Sequence, residues 1–295
     1  MFEGAHTALI TPFLDGKIDE SSLRDLIDFQ FDNGISGIVP CGTTGESPTL
    51  SNDEHKRVIE IAIETTAGRG KVIAGTGSNS TREAINMTQH AQKAGADAVL
   101  LVCPYYNKPS QEGLYQHYKA IASETDLPIM LYSIPGRSVI EITVDTQLRL
   151  HQDCPNIMAM KEAGGKGTRV EEIRRQLPKE YEVLSGDDAL TLPFMKKGAV
   201  GVVSVASNLI PNQLSKLVSH LLNKDYSNAE IVDDFCKPLF QGLLGLDTNP
   251  VPIKEAMALT GKSTNELRLP LVGLNHENKN KLIDLVSRLN LIDDK

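Results

Sequence analysis

A lysine at the end of an apolar segment is the residue of this chain with the clearest chemical potential. Lys161 follows Ile157–Met160, a run typical of a buried β-strand. Alternation along a strand predicts that Lys161 shares one face with Ile157 and Ala159. Burial disfavours the charged ammonium, so its pKa should fall, and the neutral amine would be a nucleophile able to form a Schiff base with a carbonyl substrate. The alternative is an ordinary ion pair with a carboxylate such as Glu46.

Hydroxyl and guanidinium side chains follow other apolar segments. Thr43, Tyr132 and Tyr106 could move the protons that Schiff-base chemistry requires. For Tyr105 and Tyr106 the alternative is simple packing. Arg137, in a Pro-Gly-Arg turn, is suited to bidentate binding of a carboxylate, and its alternative is a solvated loop arginine.

The hydrophobic pattern indicates how these side chains are brought together. Eight short apolar runs alternate with segments that have the 3.6-residue spacing of helices, which predicts parallel strands covered by helices. The runs are Ala5–Ile10, Ile35–Val39, Val72–Ala74, Ala98–Cys103, Ile129–Tyr132, Ile157–Met160, Tyr181–Leu184 and Val200–Val205. Eight repeats predict a closed (β/α)8 TIM barrel, in which the loops after the strands form the active site. The alternative is an open doubly wound sheet, but Gly75-Thr76-Gly77 lacks the third glycine of the dinucleotide-binding motif.

The segment after the last predicted strand is wholly helical. Helical spacing covers Pro211–Leu222, Ala229–Leu244, Ile253–Leu259 and Asn278–Leu289. We therefore expect a barrel over residues 1–225 and a C-terminal helical region over residues 226–295 packed on the barrel.

Composition excludes several classes of partner and site. The 295 residues are 40% hydrophobic, and 38 acidic residues against 30 basic ones give a net charge of -8, which disfavours nucleic acid and anionic membranes. No C-x-x-C spacing occurs among the four cysteines, so we expect neither a zinc site nor disulfides. No stretch approaches eighteen apolar residues. A cytoplasmic protein without a membrane segment is predicted.

Six motifs together resemble the dihydrodipicolinate synthase family of pyruvate-dependent class I aldolases. The resemblance extends from about Gly4 to Leu271. Its motifs are Gly42–Glu46 (GTTGE), Pro104–Asn107 (PYYN), Tyr132–Arg137 (YSIPGR), Lys161–Ala163 (KEA), Ser185–Asp188 (SGDD) and Leu267–Leu271 (LRLPL).

The resemblance implies condensation of pyruvate with L-aspartate 4-semialdehyde, the first committed step toward diaminopimelate and lysine. It implies a homotetramer built as a dimer of dimers, with no metal and no organic cofactor. Lys161 would form the pyruvate imine, and the proton relay would consist of Thr43, Tyr132 and Tyr106, the last donated by the neighbouring subunit. Pyruvate would be held by Thr44 and by backbone groups near Gly186 and Val203, while Arg137 would bind the carboxylate of the aldehyde substrate.

The resemblance also suggests an allosteric L-lysine site at a dimer interface. The matching positions are Ser47, Pro48, Asn52, His55, Asn79, Glu83 and Tyr105. Asn52 stands where inhibitable relatives have a histidine and Pro48 where they have a smaller residue, so weakened inhibition is predicted. The alternative is that His55 and Glu83 are merely exposed helix residues.

Two other functions compete with the synthase. An N-acetylneuraminate lyase or a 2-keto-3-deoxy sugar acid aldolase would use Lys161 and Tyr132 equally well. Thr43, Thr44 and Arg137 favour the synthase. A catalytically silent barrel that binds a small acid as a sensor is a rival from a different class, but it would be expected to have a damaged site, and all six motifs are intact.

Overall fold

Eight parallel strands close into a barrel in this computed structural model, which describes residues 1–292. The strands of the described chain are β1 Gly4–Ala8, β2 Phe13–Leu14, β3 Lys17–Ile18, β4 Gly37–Val39, β5 Lys71–Gly75, β6 Ala98–Val102, β7 Ile129–Ser133, β8 Ile157–Glu162, β9 Glu182–Ser185 and β10 Gly201–Ser204. Strands β4 to β10 follow one another around the barrel, and β1 closes it between β10 and β4. The predicted (β/α)8 fold is confirmed.

Helices cover the outside of the barrel. Their bounds are α1 Glu20–Asp32, α2 Asn52–Thr66, α3 Thr81–Ala94, α4 Gln111–Ala122, α5 Pro135–Ser138, α6 Val144–Asp153, α7 Gly167–Gln176, α8 Thr191–Lys196, α9 Pro211–Leu222, α10 Tyr226–Gly245, α11 Val251–Leu259 and α12 His276–Arg288. Many start at a side chain that caps the first turn: Ser51, for example, forms a capping box with Glu54 at the start of α2.

Each of the eight predicted apolar runs overlaps one barrel strand, with bounds that agree within two residues. The short hairpin of β2 and β3 was not predicted, because two-residue strands are too short for a periodic signal. Helix α10 begins three residues before the predicted Ala229 and continues through Pro238.

The predicted face of Ile157 is wrong. Ile157 packs in the outer layer between strands and helices, whereas Met158 packs with the residues inside the barrel. The pairing of β7 with β8 shifts at this point: Ile129 pairs with Ile157, and Met130 pairs with Ala159. This extra residue in β8 is a β-bulge, which breaks simple alternation. Ala159 and Lys161 lie beyond the bulge on the inner face.

Two apolar layers form the core. The outer layer joins the strands to the helices and contains most of the buried aliphatic residues. The inner layer fills the barrel with Phe2, Ala8, Val39, Ile73, Ala98, Leu100, Met130, Tyr132, Ala159, Leu184 and Val203. A filled interior leaves room for a ligand only at the mouth, where the strands end.

The helices after α9 lie against one another and against the barrel. Helix α10 contacts α9 and α12, and α11 contacts the turn Ala206–Asn208 after β10. The division into a barrel over 1–225 and a helical region over 226–295 remains a prediction, and its last residues, 293–295, lie outside the described part. None of the described helices combines the length and hydrophobicity that crossing a bilayer requires. The cytoplasmic location also remains a prediction.

Candidate active site

Lys161 is buried on the inner face of β8, near the mouth of the barrel. Only 6% of its surface is exposed. Its Nζ lies 4.1 Å from the centre of the Tyr132 ring on the adjacent strand β7. Within residues 1–292 no carboxylate forms a salt bridge with this amine. The aromatic face provides a favourable but weak contact for a cation, so the ammonium is poorly compensated.

This environment makes the amine a better nucleophile. Burial lowers the pKa of Lys161 to about 7; the charge of Asp188 opposes this shift, and the charge of Arg137 adds to it. At a pKa near 7 about half of the amines are neutral at pH 7, against about four in ten thousand for an ordinary lysine.

The alternative ion pair between Lys161 and Glu46 is wrong. Glu46 instead binds Lys254 of α11, with 2.5 Å between Oε1 and Nζ and both side chains fully buried. Its second oxygen, Oε2, accepts the backbone N–H of Arg268 at 3.2 Å. Glu46 therefore connects the GTTGE loop to the C-terminal part of the chain.

Tyr132 and Thr43 lie together at a cavity of about 210 Å³ at the barrel mouth. Burial raises the pKa of Tyr132 to about 12, while hydrogen bonding with the Thr43 side chain and the charge of Arg137 limit the rise. The phenol is consequently protonated at neutral pH and available as a proton donor. Other lining residues are Cys41, Gly42, Ser47, Pro48, Gly75, Gly77, Leu100, Val102, Tyr105, Ile134, Arg137 and Ser138.

Thr44 and Arg137 are both held by the turn before α11. Asn249 Nδ2 donates to Thr44 Oγ1 at 3.0 Å. Arg137 Nη2 donates to the carbonyl of Asn249 at 2.9 Å and to Thr248 Oγ1 at 3.2 Å. These contacts hold the exposed Arg137 at the edge of the cavity, so it is hydrogen-bonded within the chain although it remains in contact with solvent.

Gly186 leaves space for the lysine side chain. A Cβ on Gly186 would lie 3.1 Å from Lys161 Cε and 2.8 Å from Ala163 Cβ. The contact with Ala163 is closer than real Cβ atoms come and the contact with Lys161 is tight, so a side chain at this position would require Ala163 to move and would crowd the lysine. Val203, on β10, is 1% exposed and belongs to the inner layer.

Tyr106 is not part of the cavity in a single chain. Its side chain is 89% exposed, and its φ of 73° is unusual for a residue with a Cβ. Tyr105, by contrast, lines the cavity. Among the candidate catalytic residues, the fold brings together Lys161, Tyr132 and Thr43, and leaves Tyr106 pointing to solvent.

A second cavity, of about 340 Å³, adjoins the first and shares Ser47, Pro48, Gly77 and Tyr105 with it. Six of the seven predicted lysine-site residues line it: Ser47, Pro48, Asn52, His55, Glu83 and Tyr105. The seventh, Asn79, lies beside it and donates from Nδ2 to the carbonyl of Tyr105 at 3.1 Å. Burial lowers the pKa of His55, and its Nε2 lies 2.7 Å from the carbonyl of Gly75.

Sequence reasoning assigned no role to Asp188 or Asn249. Asp188 is buried, and its Oδ2 accepts the backbone N–H groups of Val205 and Ala206 at 3.0 and 2.9 Å. Burial raises the pKa of Asp188 to about 6. The Ser-Gly-Asp-Asp motif was a signal for Asp188, whereas nothing local marked Asn249.

Comparison with known proteins agrees with this geometry. A family model described as "Dihydrodipicolinate synthetase family" matches residues 1–289. The 4-hydroxy-tetrahydrodipicolinate synthase of Aquifex aeolicus (strain VF5) is 48% identical over 291 residues, which is 99% of each chain.

Solved structures are similarly close. The 4-hydroxy-tetrahydrodipicolinate synthase of Methylacidiphilum fumariolicum SolV is 51% identical, with a TM-score of 0.97 over 98% of this chain and 96% of that one. A Cyanidioschyzon merolae structure, described as DHDPS with lysine bound, is 39% identical, with a TM-score of 0.95 over 99% of each chain. With a family model that spans nearly all of its residues, this chain belongs to the dihydrodipicolinate synthetase family.

Proposed function

We propose that this protein is a lyase that condenses pyruvate with L-aspartate 4-semialdehyde to give 4-hydroxy-tetrahydrodipicolinate, at the entry to diaminopimelate and lysine synthesis. One observation carries the proposal: the buried Lys161 amine, unpaired in the described chain and with a pKa lowered to about 7, lies at the barrel mouth of a family member. Full-length relatives that carry the synthase name support this substrate pair.

The lysine amine performs covalent catalysis. Lys161 Nζ attacks the keto carbon of pyruvate, and loss of water from the carbinolamine gives an imine. The protonated imine draws electrons from the adjacent methyl group, which loses a proton to give an enamine. The enamine carbon bonds to the aldehyde carbon, whose oxygen takes up a proton. The amine of the new product then attacks the imine carbon, which closes the ring and releases Lys161.

The surrounding groups bind the substrates and move protons. Tyr132, Thr43 and the Tyr106 of a second copy form the relay that protonates the leaving hydroxyl and the aldehyde oxygen. Thr44, with the backbone near Gly186 and Val203, holds pyruvate. Arg137, already oriented by the turn before α11, binds the carboxylate of aspartate semialdehyde.

A sugar acid aldolase is the competing activity, since Lys161 and Tyr132 suit both. The names of the full-length relatives favour the synthase, as do Arg137 and the pair of threonines. An assay of pyruvate with aspartate semialdehyde, run beside N-acetylneuraminate and 2-keto-3-deoxy sugar acids, separates the two. Turnover of the sugar acids alone would contradict the synthase assignment.

Reductive trapping tests the mechanism directly. Borohydride added with pyruvate should reduce the imine and leave about one pyruvate-derived adduct per chain, located on Lys161 by peptide mass spectrometry. Lys161→Ala should form no adduct, whereas Lys71→Ala, which removes a half-exposed lysine from the other end of a barrel strand, should react like the wild type. An adduct on another residue would disprove the role of Lys161.

We further propose that the second cavity binds L-lysine. The lysine-bound Cyanidioschyzon merolae relative and the six lining residues support this site. Glu83 offers a carboxylate to an ammonium group. Millimolar L-lysine should lower the rate of condensation in the wild type and have less effect on Glu83→Gln, because the charge that attracts the ligand is lost. Full activity of the wild type at saturating lysine would reject this site.

The assembly is proposed to be a homotetramer made of two dimers. The exposed Tyr106, which the relay requires and which its own chain leaves in solvent, supports the dimer.

A further inference from the structure

The turn that precedes α11 contacts two of the proposed substrate-binding residues at once. Asn249 is 8% exposed, and its side-chain Nδ2 donates to Thr44 Oγ1 at 3.0 Å. Its backbone carbonyl accepts from Arg137 Nη2 at 2.9 Å. The side chain of Asn249 therefore donates a hydrogen bond to Thr44, and its main-chain carbonyl accepts one from Arg137.

The direction of the hydrogen bond from Asn249 Nδ2 to Thr44 Oγ1 decides whether the threonine hydroxyl can still donate its own proton. A threonine hydroxyl has one proton to donate and two lone pairs that accept. Asn249 occupies a lone pair, and within residues 1–292 the proton of the buried Thr44 has no acceptor. That proton is left for a ligand: the adjacent Thr43, rather than Thr44 itself, lines the cavity, and a carboxylate bound there is the acceptor that would form the strongest hydrogen bond.

Asn249 differs from the buried asparagine that has a purely structural role. Asn208 is satisfied at both ends, with Nδ2 donating to the carbonyl of Ala8 at 2.8 Å and Oδ1 accepting the Ile10 N–H at 3.1 Å. In the described chain Asn249 Oδ1 is buried without a hydrogen-bond partner. A buried, unsatisfied polar atom is uncommon and is tolerated more often at functional sites.

The loop and the turn are held in a fixed relation by a second contact. Glu46, two residues after Thr44, pairs with Lys254 in the first turn of α11. The backbone N–H of Lys254 donates to the carbonyl of Pro250 at 3.0 Å. The position of Asn249 relative to Thr44 therefore follows from the packing of α11 on the loop.

We propose that Asn249 is a positioning residue for pyruvate: by donating to Thr44 it directs the threonine proton toward the carboxylate of the keto acid. This inference rests on the proposed function. It assigns to the helical C-terminal region a role in binding the first substrate, through a residue 205 positions away from Thr44 in the chain.

The test measures pyruvate binding by the concentration that gives half-maximal borohydride trapping on Lys161. Asn249→Ala should raise this concentration roughly three- to tenfold, the loss expected for one hydrogen bond, and Asn249→Asp, which has the same shape but no N–H donors and an added negative charge, should raise it by at least as much. The KM for aspartate semialdehyde should stay within about twofold, because the Arg137 contact is made by the main chain. Thr248→Val removes a side-chain acceptor of Arg137. It should therefore raise the KM for aspartate semialdehyde and leave the pyruvate concentration for half-maximal trapping unchanged.

A double-mutant cycle shows whether Asn249 acts through Thr44. In a Thr44→Ala background, Asn249→Ala should have no further effect on half-saturation by pyruvate. An equal effect in both backgrounds would overturn the proposal, as would wild-type pyruvate binding in Asn249→Asp. Asn223→Ala, which removes an exposed asparagine amide after α9, is the control and should match the wild type.

The failure of this inference can be distinguished from failure of the proposed function. If wild-type protein forms no pyruvate adduct, the lysine chemistry itself is wrong. If wild type forms the adduct and the folded Asn249→Asp variant binds pyruvate equally well, only the role of Asn249 is wrong. Thermal unfolding followed by circular dichroism verifies that each variant is folded, and Asn249→Asp replaces Asn249→Ala if the alanine variant unfolds.

Discussion

At the scale of single residues, the reactivity of Lys161 results from opposing electrostatic effects. Removal from water and the positive charge of Arg137 lower its pKa, and the negative charge of Asp188 raises it. The first effect dominates, because the amine is almost completely buried and no carboxylate in the described chain is within salt-bridge distance. A small change in the surrounding charge should therefore be visible in the pH dependence of imine formation.

Asp188→Asn should shift the acid limb of imine formation to lower pH. The neutral amide keeps an oxygen for the Val205 and Ala206 N–H groups and removes the charge that stabilises the ammonium, so the pKa of Lys161 falls below about 7. At pH 7 Asp188, whose pKa is about 6, is still mostly ionised and about half of the wild-type amines are neutral, so the ratio of the trapping rates at pH 7 and pH 9 should rise by up to about twofold in the variant. Stopped-time borohydride trapping over pH 5.5–9 measures this ratio.

Asp284→Asn is the matched control, because Asp284 lies on the exposed face of α12. Its ratio of rates should equal that of the wild type. If the acid limb of the pH dependence of imine formation moves to higher pH in Asp188→Asn, then Asp188 does not stabilise the ammonium.

At the scale of elements, one buried ion pair joins the GTTGE loop to α11. Lys254 and Glu46 are fully buried, and Nζ of Lys254 also lies 4.2 Å from the centre of the Phe13 ring, which Arg268 contacts as well. Removing one partner of such a pair leaves an uncompensated charge in the interior. The loop that presents Thr43 therefore depends on a helix that begins more than 200 residues later.

Lys254→Met should lower the free energy of unfolding by about 3–5 kcal/mol, because Glu46 would remain buried without its counter-charge. The double variant Glu46→Gln with Lys254→Met should lose less, since no charge is then left unpaired. Urea denaturation measures both. Lys281→Met breaks an exposed pair with Glu277 and should change stability by less than about 1 kcal/mol. Equal losses at Lys254 and Lys281 would show that the buried pair contributes no more than a surface pair.

At the scale of the whole molecule, we propose that the site is complete only when two chains meet. Lys161 and Tyr132 lie side by side in one chain, whereas Tyr106 extends into solvent. If a partner supplies Tyr106, two inactive variants with defects in different chains can form an intact site between them.

Co-expression of Tyr106→Phe with Lys161→Ala should restore activity. Each variant alone is expected to be slow or inactive, but random pairing gives roughly a quarter of the sites an intact Lys161 and an intact Tyr106 from the neighbour. Tyr132→Phe with Lys161→Ala is the control: both residues belong to the same chain, so no pairing produces an intact site. The steady-state rates of the co-purified proteins measure the recovery of activity. If Tyr106→Phe with Lys161→Ala recovers no activity, Tyr106 does not contribute to the site of the neighbouring chain.

The barrel and the candidate site residues could be predicted because each leaves a pattern among residues that are close together in the sequence. The eight apolar runs and the helical spacing between them lead to the barrel, because burial on both faces of a strand and one face of a helix leaves a signal within a few residues. The family motifs mark Lys161, Tyr132 and Thr43 by residue type, and these three do lie together at the mouth.

The sequence by itself determined the barrel, the family and the residues able to perform Schiff-base chemistry. Only the tertiary structure decided the bulge at Met158, the partner of Glu46 and the contact between Asn249 and Thr44. The reason is physical: periodicity and propensity act between neighbours in the chain, whereas a buried ion pair or hydrogen bond between residues some 200 positions apart depends on how complete elements pack.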